Sequence, residues 1–272
     1  MKKRHILALL AAGDKMPYEL LREEDVSISY AYFMGNSFSM RLFRRFFLVL
    51  GLSHLLLLIS LRKINLKAYD VILINENFYP LEIIKYVRQH NNKADIYYWL
   101  WNTLFSRSRR LYDAKKQWNN LLKHQKQYKF DIVSFDKEDC KKYQLIYNGQ
   151  VVPFKNKKKN NVEKRDIFFG GIDKGRLPFL KKLAKTLNDL SISYKFWIVP
   201  DRKGIYSRED WNKYLHKNFL DYDLFLNYEL ESRCILEIVQ KGQNGLTWRP
   251  IEALFYKKKL ITNFIDIINY NF

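Results

Sequence analysis

The residues best suited to chemistry lie between positions 234 and 263, in CILEIVQKGQNGLTWRPIEALFYKKKLITN. An apolar run ends at Val239, and a loop of Gly242, Gln243, Asn244, Gly245 and Leu246 follows. A helix is predicted to open near Thr247. Thr247 is a plausible N-cap, and Pro250 falls in the first turn, where a missing backbone N–H costs little. A helix start of this kind offers unpaired N–H groups and a partial positive charge, so it suits a phosphate; the glycines let the phosphate approach the backbone. Arg249 adds a permanent cation. Glu252, five positions past Thr247, is placed to accept hydrogen bonds from the vicinal hydroxyls of a ribose.

The elements that must position these residues follow from an alternation of short apolar runs with longer helical ones. In the first half, strands are predicted at 5–11, 26–32, 71–75, 96–101, 132–135 and 150–152, with helical stretches at 39–60, 80–89, 109–128 and 137–143. Strands alternating with helices predict a parallel sheet covered on both faces. Residues 155–165 read KNKKKNNVEKR, with Val162 the only apolar residue, and Pro153 precedes them. Nothing there can be buried, so a basic linker is expected at 154–165. The alternation then restarts. DIFFGG (166–171) reads as a strand running into a glycine turn, followed by a helix at 177–190, a strand at 194–199 and a helix near 208–216. A strand at 234–239, a helix at 247–256 and a strand at 259–262 complete the series. No sequence period of 20–50 residues repeats, which excludes a solenoid. The reading is α/β: an N-terminal Rossmann-like domain at 1–153 and a C-terminal one at 166–272.

The 272 residues suffice for two modest α/β domains, and 47% hydrophobic with 16% aromatic residues excludes a disordered chain. The net charge of +20 favours anionic partners, although a Lys-, Asn-, Ile- and Tyr-rich composition explains part of it. Two distant cysteines, Cys140 and Cys234, argue against a disulfide framework or a zinc site. The N-terminal run Ile6 to Ala12 passes into Gly13-Asp14 and reads as a first buried strand rather than a signal peptide. The uncharged stretch 46–61, flanked by Arg44-Arg45 and Arg62-Lys63, is shorter than the roughly 20 residues of a spanning helix. A buried core helix and a helix lying in a membrane interface both remain open for it.

The order strand, Gly-basic loop, then strand, Gly loop, helix and glutamate resembles the donor half of GT-B glycosyltransferases, particularly bacterial enzymes of lipopolysaccharide and capsular polysaccharide assembly. The resemblance implies two Rossmann-like domains facing each other across a cleft. It also implies hexosyl transfer from a nucleotide-sugar to a lipid-linked or cell-surface glycan, with no metal and no separate cofactor. By the same resemblance DIFFGGIDKGR (166–176) is the loop where basic residues contact the diphosphate, which brings in Gly171, Lys174 and Arg176. FDIVSFDKEDCKKY (130–143) is similar to the last strand–helix unit of the acceptor domain. The enzyme would sit on the inner face of the cytoplasmic membrane, against an anionic surface. Many retaining members carry two glutamates eight positions apart, but the position eight before Glu252 is Asn244, which leaves the stereochemistry open. The chain stops at Phe272, soon after the last strand, so the C-terminal domain is either compact or incomplete.

In an inverting reaction a first-domain carboxylate would take the acceptor proton. Asp14 and Glu76 are the acids expected at carboxyl ends of strands, the edge where open α/β sheets bind ligands. Asp221-Tyr222-Asp223 matches the Asp-x-Asp of metal-dependent GT-A enzymes, but it precedes LFLNY rather than following an apolar strand, as a chance match would. Two other function classes stand beside the enzyme. A basic nucleic-acid-binding protein is disfavoured because aromatic runs such as YYWLW (97–101) read as core; a truncated, inactive relative acting as a membrane-bound assembly partner is the other.

Overall fold

The computed structural model describes residues 4–10, 21, 25–30, 38–52, 55, 60–76, 80–102, 104, 111–152, 162–202, 204–240 and 245–270. The chain separates into two compact units, Met1–Pro153 and Phe154–Phe272.

The first unit is built on a parallel sheet of β1 (Ile6–Leu10), β2 (Val26–Tyr30), β3 (Val71–Asn75), β4 (Asp95–Trp99), β5 (Phe130–Ser134) and β6 (Ile146–Tyr147), ordered β2-β1-β3-β4-β5-β6. ILALL and VILIN carry no alternating polar face because a parallel sheet is covered on both sides. Helices α1 (Phe38–Val49), α2 (Pro80–His90), α3 (Leu111–Tyr128) and α4 (Lys137–Tyr143) belong to this unit. In α2, Pro80 occupies the first turn, and Leu81, Ile83, Ile84 and Val87 form the buried stripe that meets Ile72, Ile74 and Ile96 in the core. Asp136 caps α4 by accepting from the N–H groups of Glu138 and Asp139, and Gln144 closes it in the left-handed region.

Two expectations are corrected here. The single helix expected over 39–60 ends at Val49. Gly51 at φ +70° lets the Leu52 N–H turn back to the Phe47 carbonyl at 2.9 Å, the six-to-one bond of a Schellman stop. Leu61, at the far end of the same apolar run, is in the core, so the run is divided between two environments. The last strand is Ile146–Tyr147 rather than 150–152. It is a two-residue edge strand with both side chains exposed, so no apolar run marks it.

The second unit has a parallel sheet of β7 (Arg165–Ile172), β8 (Tyr194–Val199), β9 (Ser232–Glu237) and β10 (Lys259–Thr262), ordered β10-β9-β7-β8. Its helices are α5 (Leu177–Asp189), α6 (Arg208–Lys213), α7 (Tyr222–Leu230) and α8 (Trp248–Phe255). Leu177, Leu180, Ala184 and Leu187 bury one stripe of α5 on the sheet. Ser207 and Asp210 form a reciprocal capping box on α6. Helix α7 is absent from the expected elements. Asp221 is its N-cap, accepting from the Leu224 N–H, which accounts for one carboxylate of the Asp-x-Asp match.

The glycine turn expected at Gly170-Gly171 is also corrected. Both glycines lie inside β7, paired with Trp197 and Ile198, and the strand runs on to Ile172. The turn comes later, at Lys174 (φ 47°) and Gly175 (φ 78°). Gly170 is required by packing: a Cβ there would lie 2.3 Å from the Phe225 ring of α7.

Candidate functional site

In an open parallel sheet the strand order reverses at one point, and connections leave on opposite sides there, opening a crevice at the carboxyl ends. The first sheet reverses between β1 and β3, and the second between β7 and β9.

At the first reversal, β3 ends in Asn75, with Glu76 immediately after it. Glu76 is half-buried, and its Oε2 accepts from the Trp101 N–H (3.3 Å), the Asn102 N–H (3.0 Å) and Asn102 Nδ2 (2.8 Å). Three donors from the end of β4 thus fix one carboxylate oxygen and the side chain's direction. Asn75 is fully buried, yet among the described residues neither its Oδ1 nor its Nδ2 has a hydrogen-bond partner. An unpaired buried amide costs roughly 1–3 kcal/mol, so this one is expensive to keep. Nearby, Asp139 accepts from the Leu104 N–H at 2.9 Å, and burial pushes its carboxyl above the usual range. Asp14 lies outside the described residues.

At the second reversal Arg176 bridges the two strand ends. Its guanidinium donates to the backbone carbonyls of Ile172 and Asp173 at the end of β7, and to that of Ile238 just past β9 at 2.6 Å. It also lies over the Phe169 ring, 5.1 Å from the centroid, and burial pulls its pKa below the ordinary arginine value. Gly171 makes room for it, since a Cβ there would sit 3.2 Å from Nη2. Arg176, expected at a diphosphate, therefore ties two strand ends together. Lys174 is exposed on the turn above. The start of α5 already carries an anion: buried Asp173 accepts from the Leu177 N–H at 2.6 Å and from the Tyr206 hydroxyl at 2.9 Å.

Of the loop expected to cradle a phosphate, Gly242, Gln243 and Asn244 lie outside the described residues. Gly245 and Leu246 are buried, and Thr247 caps α8 by accepting from the Arg249 N–H at 3.2 Å. Its hydroxyl donates to Glu237 Oε1, while Thr262 Oγ1 donates to Glu237 Oε2 at 2.6 Å. Glu237, buried at the end of β9, thus joins the start of α8 to β10. With the Arg249 N–H taken by the cap and Pro250 lacking one, α8 has fewer open donors than its sequence suggests.

The side chains of Arg249 and Glu252 bond each other. Glu252 has no exposed surface; it accepts from Arg249 Nη1 and from the Tyr222 hydroxyl at 3.0 Å. Arg249 Nη1 also reaches Glu229 Oε1 at 2.6 Å, and its guanidinium lies 4.0 Å from the centre of the Phe225 ring. Glu229 Oε2, fully buried, has no partner among the described residues. Burial pushes the Glu229 carboxyl well above its ordinary value; the pull of Arg249 opposes this, and Glu252 adds to it. For Arg249 burial alone would lower the pKa, but Glu229 and Glu252 outweigh it and raise it. Tyr222 is raised too, by burial first and then by the Glu252 charge. This cluster pins α7 against α8.

Sequence reasoning missed Asn75, Asp173, Glu237, Glu229 and Tyr222. The first three were findable, because each is a polar residue ending or following an apolar strand run. Glu229 and Tyr222 were not, since their partners come from another helix.

No protein-family model matches the chain, and no curated protein is significantly similar to it. Among solved structures, the glycotransferase of kitacinnamycin is similar at 9% identity and a TM-score of 0.48, covering 96% of this chain and 81% of that one. The glycosyltransferase SnogD from Streptomyces nogalater is similar at 12% identity and a TM-score of 0.44, covering 97% of this chain and 83% of that one. At these values the likeness says nothing of what this chain binds or does.

Proposed function

We propose that the chain is a glycosyltransferase that moves a hexosyl group from a nucleotide-sugar onto a lipid-linked or cell-surface glycan, as in bacterial polysaccharide assembly. The observation that carries this reading is the carboxyl edge of the second sheet, where β9 ends and the start of α8 is capped by Thr247, beside a β7/β9 reversal. That edge is where an open parallel sheet takes a nucleotide. In this reading the 242–247 loop and Lys174 meet the diphosphate. Arg176, Glu237, Arg249 and Glu252 act from beneath as positioning residues, holding β7, β9, α7, α8 and β10 in register.

Glu76 is the proposed base. Its Oε2 is fixed by three donors, and no described residue bonds Oε1, which leaves that oxygen for an acceptor hydroxyl proton. As the acceptor oxygen forms its bond to the sugar carbon, the bond from that carbon to the diphosphate breaks. The electron pair leaves with the nucleoside diphosphate.

The test is release of nucleoside diphosphate from a panel of nucleotide-sugars, with a bacterial membrane lipid extract as acceptor. Glu76→Gln should lower kcat by about 10²–10⁴ with donor KM little changed. Lys174→Ala should raise donor KM with kcat little changed. Turnover unaffected by both changes would overturn the assignment, as would the absence of turnover with every donor from a folded sample.

A further inference from the structure

Helix α1 presents an apolar face with no cover among the described residues. Leu42 (58% exposed), Phe46 (59%) and Val49 (79%) recur at helical spacing, with Phe43 and Leu50 beside them. At about 100° per residue these five fall within an arc of roughly 120°. Phe47, on the flank, is half-buried and packs against the core of the first unit. Its ring lies 4.5 Å from that of Phe43 and 5.9 Å from that of Phe46, so the exposed aromatics rest on a fixed base. The helix sequence, FSMRLFRRFFLV, holds Arg41, Arg44 and Arg45 and no acid, and Arg45 is exposed beside the apolar arc. The Schellman stop at Gly51 sets the length at 12 residues, about 18 Å, too short to cross a bilayer.

We propose that α1 is an in-plane anchor that seats Leu42, Phe43, Phe46, Val49 and Leu50 in an anionic lipid surface. Charge selects this occupant. A second copy would bring one +20 chain against another, with Arg45 exposed beside the arc on each, whereas anionic headgroups complement that charge. A monotopic helix has this composition: aromatic and aliphatic residues on one face, an arginine beside it, and no spanning length. The inference stands apart from the glycosyl-transfer reading, because it rests on a surface of the first unit and on no substrate.

The experiment is co-sedimentation of the full chain with vesicles of phosphatidylcholine alone or with about 30% phosphatidylglycerol, at low and high salt. The chain should sediment with the anionic vesicles, much less with the neutral ones, and less in high salt. Phe46→Asp/Val49→Asp changes two exposed positions, so its melting temperature should match the parent's while vesicle affinity falls at least about tenfold. Arg45→Gln should weaken binding about fivefold, the equivalent of ~1 kcal/mol for one basic group at an anionic surface. Equal binding by Phe46→Asp/Val49→Asp and the parent would overturn the proposal, because general basicity would then suffice. Equal binding to neutral and anionic vesicles would overturn the charge argument. A parent dimer that the same double change dissolves would assign the face to a second copy instead.

Discussion

Replacing Arg249 with Met removes the guanidinium that lies over Phe225, and with it the only cation bonded to Glu229 and Glu252 among the described residues. Both carboxyls are almost without exposed surface, so neither can recruit water in place of the guanidinium. Breaking a buried ionic cluster on one side costs about 3–5 kcal/mol, against less than ~1 kcal/mol for an exposed pair. Denaturant unfolding at constant slope measures that loss directly. The loss should also depend on pH. Because the folded-state pKa of Glu229 is raised, the folded chain keeps a proton that the unfolded chain releases. The stability tied to that proton is full below the ordinary value of 4.5 and is lost as pH rises through the folded value. Removing Arg249 takes away the charge that opposes this shift, so the penalty of Arg249→Met, measured against the parent, should be larger at pH 8 than at pH 5. Glu229→Gln copies the protonated acid. It should flatten the parent's pH dependence in that window, and in combination with Arg249→Met the loss should be less than the sum of the two. A penalty below ~1 kcal/mol, or one equal at both pH values, would refute the reasoning and leave Arg249 as a packing residue over Phe225.

Asn75→Leu replaces two unpaired buried polar atoms with carbon of similar volume, and should raise stability by about 1–3 kcal/mol in the same unfolding assay. If the amide is retained for a ligand, that gain should accompany lost turnover. Gly170→Ala drives a methyl group into the Phe225 ring and should cost roughly 1–3 kcal/mol; because the same ring lies under Arg249, its effect should not add to that of Arg249→Met. Thr247→Val removes both the cap of α8 and the donor to Glu237, and should cost about 1–3 kcal/mol, more than a lone N-cap because Glu237 is buried.

Where local sequence fixes an element, its limits were legible. VILIN gives β3 over Val71–Asn75, and YKFWIV gives β8 over Tyr194–Val199, as read from their apolar runs. Helix α1 was overextended because hydrophobicity continues through residue 61, while the backbone stops at Gly51 and sends Leu61 into the core. Helix α7 was missed because its residues are apolar on several sides, which weakens any helical stripe. The site divides in the same way. That Glu76 would follow the end of β3 was readable from VILIN; that residues 101 and 102 would supply three donors to it was not. That Arg176 would reach the Ile238 carbonyl, and Glu252 the Tyr222 hydroxyl, depends on partners distant in sequence.

The central claim is that the carboxyl edge of the second sheet holds a nucleotide-sugar. Amide hydrogen exchange of the full chain, with and without a saturating donor nucleotide found by melting shift, tests it most directly. At a hundred times Kd the donor should add about 2.7 kcal/mol of stability. Protection should concentrate at 242–249 and around Lys174. No shift with any donor, or protection absent from both segments while it appears elsewhere, would contradict the claim.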